Sequence, residues 1–98
     1  RGKLLFSTSD VVSFAMLEAF HEAGLKPGED FQLLSYDNLE GYGYLPFGKP
    51  VLTSIDSPKI RIAERSAELL LDKIQHPSDE TVIIRLPTTL VVRETAFS

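Results

Sequence analysis

A chain of 98 residues forms one small domain or a piece of a larger one, and it buries roughly two-thirds of its unfolded surface. The apolar fraction of 43% and the charged fraction of 24% argue against disorder. No apolar run approaches the ~20 residues that a membrane span needs. The net charge of −4 argues against direct DNA binding, because surfaces that neutralise phosphates are basic. Without cysteine, neither a disulfide nor a thiolate metal site is available.

The first third of the chain has the pattern of a strand, a helix and a second strand. Apolar residues 4–6 predict a strand, and the hydroxyl-rich turn at 7–9 can cap a helix over residues 10–23, with Asp10 in its first turn. The core-facing stripe of this helix is predicted to be Val12, Met16, Ala19, Phe20 and Ala23, flanked by Phe14 and Leu17. The apolar run at 31–34 begins the second predicted strand, at residues 31–36. Strand, helix and strand with short loops form a βαβ unit with parallel strands.

After a loop rich in glycine and proline at 40–50, the pattern predicts three more strands and a second helix. The strands are predicted at residues 51–55, 81–86 and 90–93. Ser57 and Pro58 open the helix, which runs to about residue 74. Its buried stripe is predicted to be Ile62 or Ala63, Ala67, Leu70, Leu71 and Ile74. The predicted fold class is therefore α/β, with a parallel sheet and the element order βαβ-loop-βαββ.

Polar clusters follow the first two predicted strands, with Ser9 and Asp10 in the first and Asp37 in the second. The carboxyl ends of parallel strands meet at one edge of a sheet, so these clusters are expected to share a crevice. A carboxylate beside hydroxyl groups suits a neutral polyol such as a sugar, whose hydroxyl groups donate to Asp. The alternative is that Asp10 and Asp37 only cap turns, as Asp commonly does.

No pattern of catalytic or metal-binding residues is recognisable. His21 and His76 have no second histidine or cysteine at ligand spacing, so no metal site and no cofactor are predicted. Nucleophile-elbow, phosphate-loop and dinucleotide-binding motifs are missing, so no catalytic residues are assigned and the chain is not expected to be an enzyme. Aromatic residues in the glycine-rich loop, Tyr42, Tyr44 and Phe47, predict a contact surface for self-association or a lid over the helices.

Five ordered stretches resemble the carboxyl-terminal third of the LacI/GalR family of sugar-responsive bacterial repressors. They are LFSTSD at 5–10, EAGL at 22–25, LLSYDN at 33–38, PVLTSI at 50–55 and LPTTLVVRET at 86–95. The resemblance implies a periplasmic-binding-protein-like type I fold (Rossmann-like) of two lobes. In that family an effector binds between the lobes and alters DNA affinity, and a separate amino-terminal helix-turn-helix domain contacts DNA.

Carried over by position, the resemblance assigns effector binding to Asp37, Ser9 and Asp10. Asp37 matches the family's effector-binding Asp. Ser9 replaces the Asn of the family's Ala-Asn-Asp motif, which changes the hydrogen bonding available there, and Asp10 matches that motif's Asp. Phe14 and Tyr44 lie at positions similar to the family's dimer contacts.

The resemblance also implies how the chain divides. Residues 1–56 and 88–98 are expected to belong to the carboxyl-terminal lobe and residues 57–87 to cross to the amino-terminal lobe. The DNA-binding domain is expected to lie outside this chain. The expected partners are a sugar or related polyol, a second copy in a homodimer, and DNA only through that missing domain, in the cytoplasm and away from membranes. A periplasmic sugar-binding protein of an ABC transporter is the alternative with the same fold, and a flavodoxin-like scaffold without a small ligand is a third hypothesis.

Overall fold

The computed structural model describes residues 3–97. Its elements in chain order are β1 (Leu4–Phe6), α1 (Asp10–Glu22), β2 (Gln32–Tyr36), a 3₁₀ helix (Leu39–Tyr42), β3 (Ser54–Asp56), α2 (Lys59–Gln75) and β4 (Thr89–Val91). Across the described residues, no helix is both long enough and apolar enough to cross a membrane.

The four strands form one sheet in the order β1-β2-β3-β4. Strands β1, β2 and β3 are parallel, and β4 pairs antiparallel with β3. Phe6 lies opposite Leu34, and Ser35 lies opposite Ser54. The predicted α/β class and the parallel βαβ unit are therefore confirmed.

Helix α1 turns a different face to the core from the predicted one. Phe14 and Leu17, predicted to flank the core, are 6% exposed and pack with Phe31, Leu33 and Leu52. Val12, predicted in the core, is 54% exposed. The predicted central stripe is wrong because the helix turns Ser13 toward the sheet instead of Val12. The Oγ of the buried Ser13 lies 2.7 Å from the Oγ of Ser35 on β2. Met16 and Phe20 pack at the margin of the cluster.

Residues Ser57–Thr88 form a compact unit separate from the unit that carries the sheet. Helix α2 in this unit has no buried residue, so its predicted apolar stripe is exposed. The strand predicted at 81–86 is irregular chain in the structure, and that prediction is wrong. An extended segment becomes a strand only when a neighbour accepts and donates its backbone hydrogen bonds, and 81–86 pairs with no segment of residues 3–97.

Strand β3 begins at Ser54, later than the predicted start at residue 51. The reason is that the Glu40 carboxylate accepts the backbone N–H groups of Val51 and Leu52, at 2.8 and 2.9 Å. Those N–H groups therefore do not join the sheet ladder, although both side chains still contact or enter the core.

Two glycines with positive φ allow a matched test of packing. Gly28 has φ +87°, and a Cβ placed there would lie 2.6 Å from the carbonyl oxygen of Glu94, whereas a Cβ at Gly24, with φ +78°, would meet nothing within 4 Å. Gly24→Ala should lower the free energy of unfolding by about 1–2 kcal/mol, the cost of a left-handed Ala. Gly28→Ala should cost a further ~1–3 kcal/mol through overpacking. Urea denaturation of both variants checks this, and equal losses would contradict the predicted clash.

Candidate functional site

The predicted site residues come from two loops at one edge of the sheet. Phe6 pairs with Leu34, and Ser9 and Asp37 each follow their paired residue by three positions. The N–H of Ser7 donates to the carbonyl oxygen of Leu34 at 2.9 Å, so the segments that follow β1 and form β2 stay paired just beyond the end of β1. The structure therefore brings both loops to the carboxyl ends of parallel strands, where small ligands bind in open α/β sheets.

Ser9 is the residue immediately before α1, with extended backbone angles of φ −150° and ψ 132°. Its hydroxyl makes no capping hydrogen bond to the helix, and the residue is half-buried. The turn is stabilised instead by Ser7, whose Oγ donates to the carbonyl oxygen of Ser9 at 3.0 Å. The Ser9 hydroxyl is therefore not required to begin the helix.

Asp37 is half-buried and has φ 129°, followed by Asn38 with φ 57°. Two successive non-glycine residues with positive φ are unusual, and each such conformation costs on the order of 1–3 kcal/mol, less for Asn. The N–H of Asp37 donates to the carbonyl oxygen of Ile55 at 2.9 Å, and the N–H of Asn38 donates to the Oγ of Ser54 at 2.9 Å. Strained backbone of this kind persists where the surrounding structure holds it, often at functional sites.

Asp10 occupies the first turn of α1 and is 0% exposed. Its Oδ1 accepts a hydrogen bond from the Oγ of Ser54 at 2.8 Å, and its Oδ2 accepts one from the N–H of Leu39 at 2.8 Å. The carboxylate therefore connects the start of α1 to β3 and to the 3₁₀ helix. Its burial and these two hydrogen bonds make Asp10 a structural brace, and a contact between Asp10 and the effector stays a prediction.

Asn38, which belongs to the predicted polar cluster after β2, contacts Asp56 and Arg93, and Arg93 in turn contacts Glu40. Sequence reasoning missed these three partners. The Asn38 side chain donates from Nδ2 to Asp56 Oδ1 at 3.0 Å and accepts at Oδ1 from the guanidinium of Arg93 at 2.8 Å. The same guanidinium lies 3.4 Å from Glu40 Oε1, and the Glu40 side chain is 1% exposed. Their sequence signals were weak, since Glu40 reads as an ordinary loop charge and Arg93 as the end of a strand.

Phe14 and Tyr44, the predicted dimer contacts, touch each other within one chain. The ring centroids of Phe14 and Tyr44 lie 5.6 Å apart in an edge-to-face arrangement. The ring of Phe47, which is on the same loop as Tyr44, lies 5.9 Å from the Phe14 ring. Phe14 is 6% exposed, whereas Tyr44 is 54% exposed. The loop aromatics thus cover Phe14, and Tyr44 presents the accessible surface of the pair.

A cavity of about 300 Å³ lies in the unit that carries the sheet, away from Ser9 and Asp37, beside the second half of α1 and the turn before β2. It is lined by Leu17, Glu18, His21, Leu25, Lys26, Pro27, Phe47, Val51, Glu94 and Thr95. None of the residues predicted to bind the effector lines it. In the described part of the chain, no group of three or more His, Asp and Glu side chains is placed to hold a metal ion.

A family model described as a periplasmic binding protein-like domain matches residues 3–96 of the chain. The chain belongs to this periplasmic binding protein-like family. The comparisons also confirm its resemblance to the effector-binding domain of LacI/GalR regulators.

Individual relatives are transcriptional regulators. The chain is 27% identical over 94 residues, 96% of its length, to the HTH-type transcriptional repressor PurR of Photobacterium profundum. It is 30% identical over 98 residues, 100% of its length, to the ribose operon repressor of Haemophilus influenzae. A crystal structure of a LacI family transcriptional regulator from Enterococcus faecium with bound ribose matches 95% of the chain with a TM-score of 0.80 and 33% identity. The chain spans between 27% and 34% of the length of these three proteins.

Proposed function

We propose that this chain is the effector-binding and dimerisation portion of a LacI/GalR-type bacterial transcriptional regulator, which binds a small polar ligand, most simply a sugar, between two lobes. Residues 1–56 and 88–98 would belong to the carboxyl-terminal lobe, and residues 57–87 would cross to the other lobe. A separate DNA-binding domain would read the operator in the cytoplasm. Binding of the effector, with no chemical step, would change operator affinity.

The placement of Ser9 and Asp37 at one sheet edge is the observation that carries this proposal. A carboxylate offers about four acceptor sites, so Asp37 can accept from ligand hydroxyl groups in addition to its contacts within the protein. The Ser9 hydroxyl, which α1 does not use as a cap, can donate and accept. The two relatives whose names include ribose make ribose the first sugar to test.

A thermal-shift screen of ribose, other sugars and nucleobases on the complete protein tests the proposal. A ligand at 100 times its Kd should stabilise the folded state by about 2.7 kcal/mol, which raises the Tm measurably. Asp37→Ala should weaken binding by roughly 10- to 100-fold, because a hydrogen bond to a charged group contributes about 1.5–3 kcal/mol. Asp79→Ala, which removes an exposed carboxylate in the other unit, is the matched control. Full affinity in Asp37→Ala would refute the site.

We also propose a homodimer whose contact surface includes Tyr44 and the exposed start of α1. Val11 and Val12 there are 61% and 54% exposed, and exposed apolar side chains that form a continuous patch mark protein interfaces. Phe14 would support this surface from beneath through its contact with Tyr44. The competing role, a sugar-binding component of an ABC transporter, would need no such surface, so sedimentation equilibrium of the complete protein discriminates between the two.

A further inference from the structure

The left-handed turn at Asp37 and Asn38 is held by the Asn38 side chain in a defined orientation. Its Nδ2 can only donate and faces the Asp56 carboxylate at 3.0 Å. Its Oδ1 can only accept and faces the Arg93 guanidinium at 2.8 Å. Asn38 is 8% exposed, so water has little access to replace either partner. The backbone next to Asp37 is thus fixed by two charged residues.

Arg93 reaches this turn from the far end of the chain, 55 positions later in sequence. One guanidinium nitrogen donates to Asn38, and the other donates to the carbonyl oxygen of Leu52 at 2.9 Å and lies 3.4 Å from Glu40. The backbone N–H of Arg93 donates to the Oγ1 of Thr53 at 2.8 Å, which fixes the root of the side chain. The lysine side chain has a single nitrogen and cannot span these partners in the same way as the planar fork of arginine.

The packing around Asn38 also indicates that its side chain is held in place. A Cβ added at Gly41 would lie 2.9 Å from the Asn38 Cγ, closer than real Cβ atoms approach other heavy atoms. The Asn38 amide therefore occupies space that is open because residue 41 has no Cβ. Arg93 and Asp56 supply its hydrogen bonds, and Gly41 supplies its space.

We propose that Arg93 is a positioning residue for effector binding, which acts by holding the Asn38 amide and, through it, the backbone that presents Asp37. This inference rests on the proposed function, because it assigns Arg93 a role at the Asp37 site. Arg93 itself need not touch the ligand. Loss of its bond to Asn38 is expected to let the 37–38 backbone relax and to move the Asp37 carboxylate.

The first measurement needs no ligand. Backbone NMR chemical shifts of Asp37 and Asn38 in the complete protein report their positive φ angles, and Arg93→Lys should change them. Arg85→Lys, the same substitution at an exposed position in the other unit, should leave them unchanged. Unaltered shifts at 37 and 38 in Arg93→Lys would overturn the proposal whether or not a ligand is bound.

The second measurement is a double-mutant cycle on ribose affinity. Arg93→Lys should raise the Kd for ribose about tenfold, the size of a typical coupling between contacting residues. Glycine at position 38 adopts positive φ and has no side-chain amide for Arg93 to bind. In the Asn38→Gly background, Arg93→Lys should therefore raise the Kd for ribose less than about twofold. Equal losses in both backgrounds would mean a general structural role and would overturn the proposal. If the unsubstituted protein does not bind ribose, ribose binding as the function fails, and the NMR shifts still decide the role of Arg93.

Discussion

Glu40→Ala should lower the free energy of unfolding by about 3–5 kcal/mol, the usual cost of breaking a buried ion pair by removing one partner. The Glu40 side chain is 1% exposed and accepts the N–H groups of Val51 and Leu52 in addition to facing Arg93. Alanine would leave two N–H groups and a guanidinium that is 16% exposed without this acceptor. A loss of that size is a large part of the stability of a small domain.

Urea denaturation of the complete protein, followed by circular dichroism, measures this loss. Glu40→Gln keeps one acceptor oxygen while removing the charge, so it should fall between alanine and the unsubstituted protein. Glu94→Ala is the matched control, because this carboxylate pairs with Lys49 at 3.3 Å on the surface with 59% of its side chain exposed. Such a pair contributes at most about 1 kcal/mol. Similar losses of unfolding free energy in Glu40→Ala and Glu94→Ala would contradict the role of Glu40 as a buried acceptor.

Asp10→Ala should cost about 3 kcal/mol, because both carboxylate oxygens accept hydrogen bonds in a fully buried position. The N–H of Leu39 and the hydroxyl of Ser54 would lose their acceptors together. Asp10→Asn should cost less, since one oxygen remains to accept. Its amide group would still face a donor, so part of the loss should persist.

Thermal denaturation compares these variants with Asp72→Ala, which removes an exposed carboxylate 3.3 Å from His76. The Asp72 variant should stay within about 0.5 kcal/mol of the unsubstituted protein. The assignment of Asp10 as a structural brace would be wrong if Asp10→Ala kept its stability and instead lost ligand binding alone. That result would support the prediction that Asp10 contacts the effector.

The sheet edge that carries Ser9 and Asp37 could be predicted because its signals are local. Short apolar runs at 4–6 and 31–34, separated by one helix and short loops, specify parallel neighbouring strands with little dependence on the rest of the chain. The positions of the two polar clusters then follow from the direction of the strands. The strand pattern alone left open whether Asp37 binds a ligand or caps a turn, and the family resemblance favoured effector binding, which stays a prediction.

The face of α1 could not be predicted from its own periodicity. Val12 and Met16 are more apolar than Ser13, but Ser13 finds Ser35 on β2, a partner 22 residues away. The role of Glu40 depends on Val51 and Leu52 across the glycine-rich loop, and that of Arg93 on Asn38. These partners are distant in sequence, so a window of neighbouring residues carries no trace of them. The prediction of a strand at 81–86 was wrong for a related reason, because strand propensity does not show whether a neighbouring strand is present to pair with.

The two hydrogen bonds from the N–H groups of Val51 and Leu52 to the Glu40 carboxylate hold together the two ends of the loop at residues 41–50. Since this closure lies at the base of the loop, exposed positions other than Tyr44 and Phe47, which pack on Phe14, can be exchanged, and inserted residues add an entropic cost that grows only slowly with length. Domains of this family that differ in this loop can therefore present different surfaces while the sheet and the turn at Asp37 and Asn38 stay the same. The loop is a natural place to graft a foreign interface onto this domain.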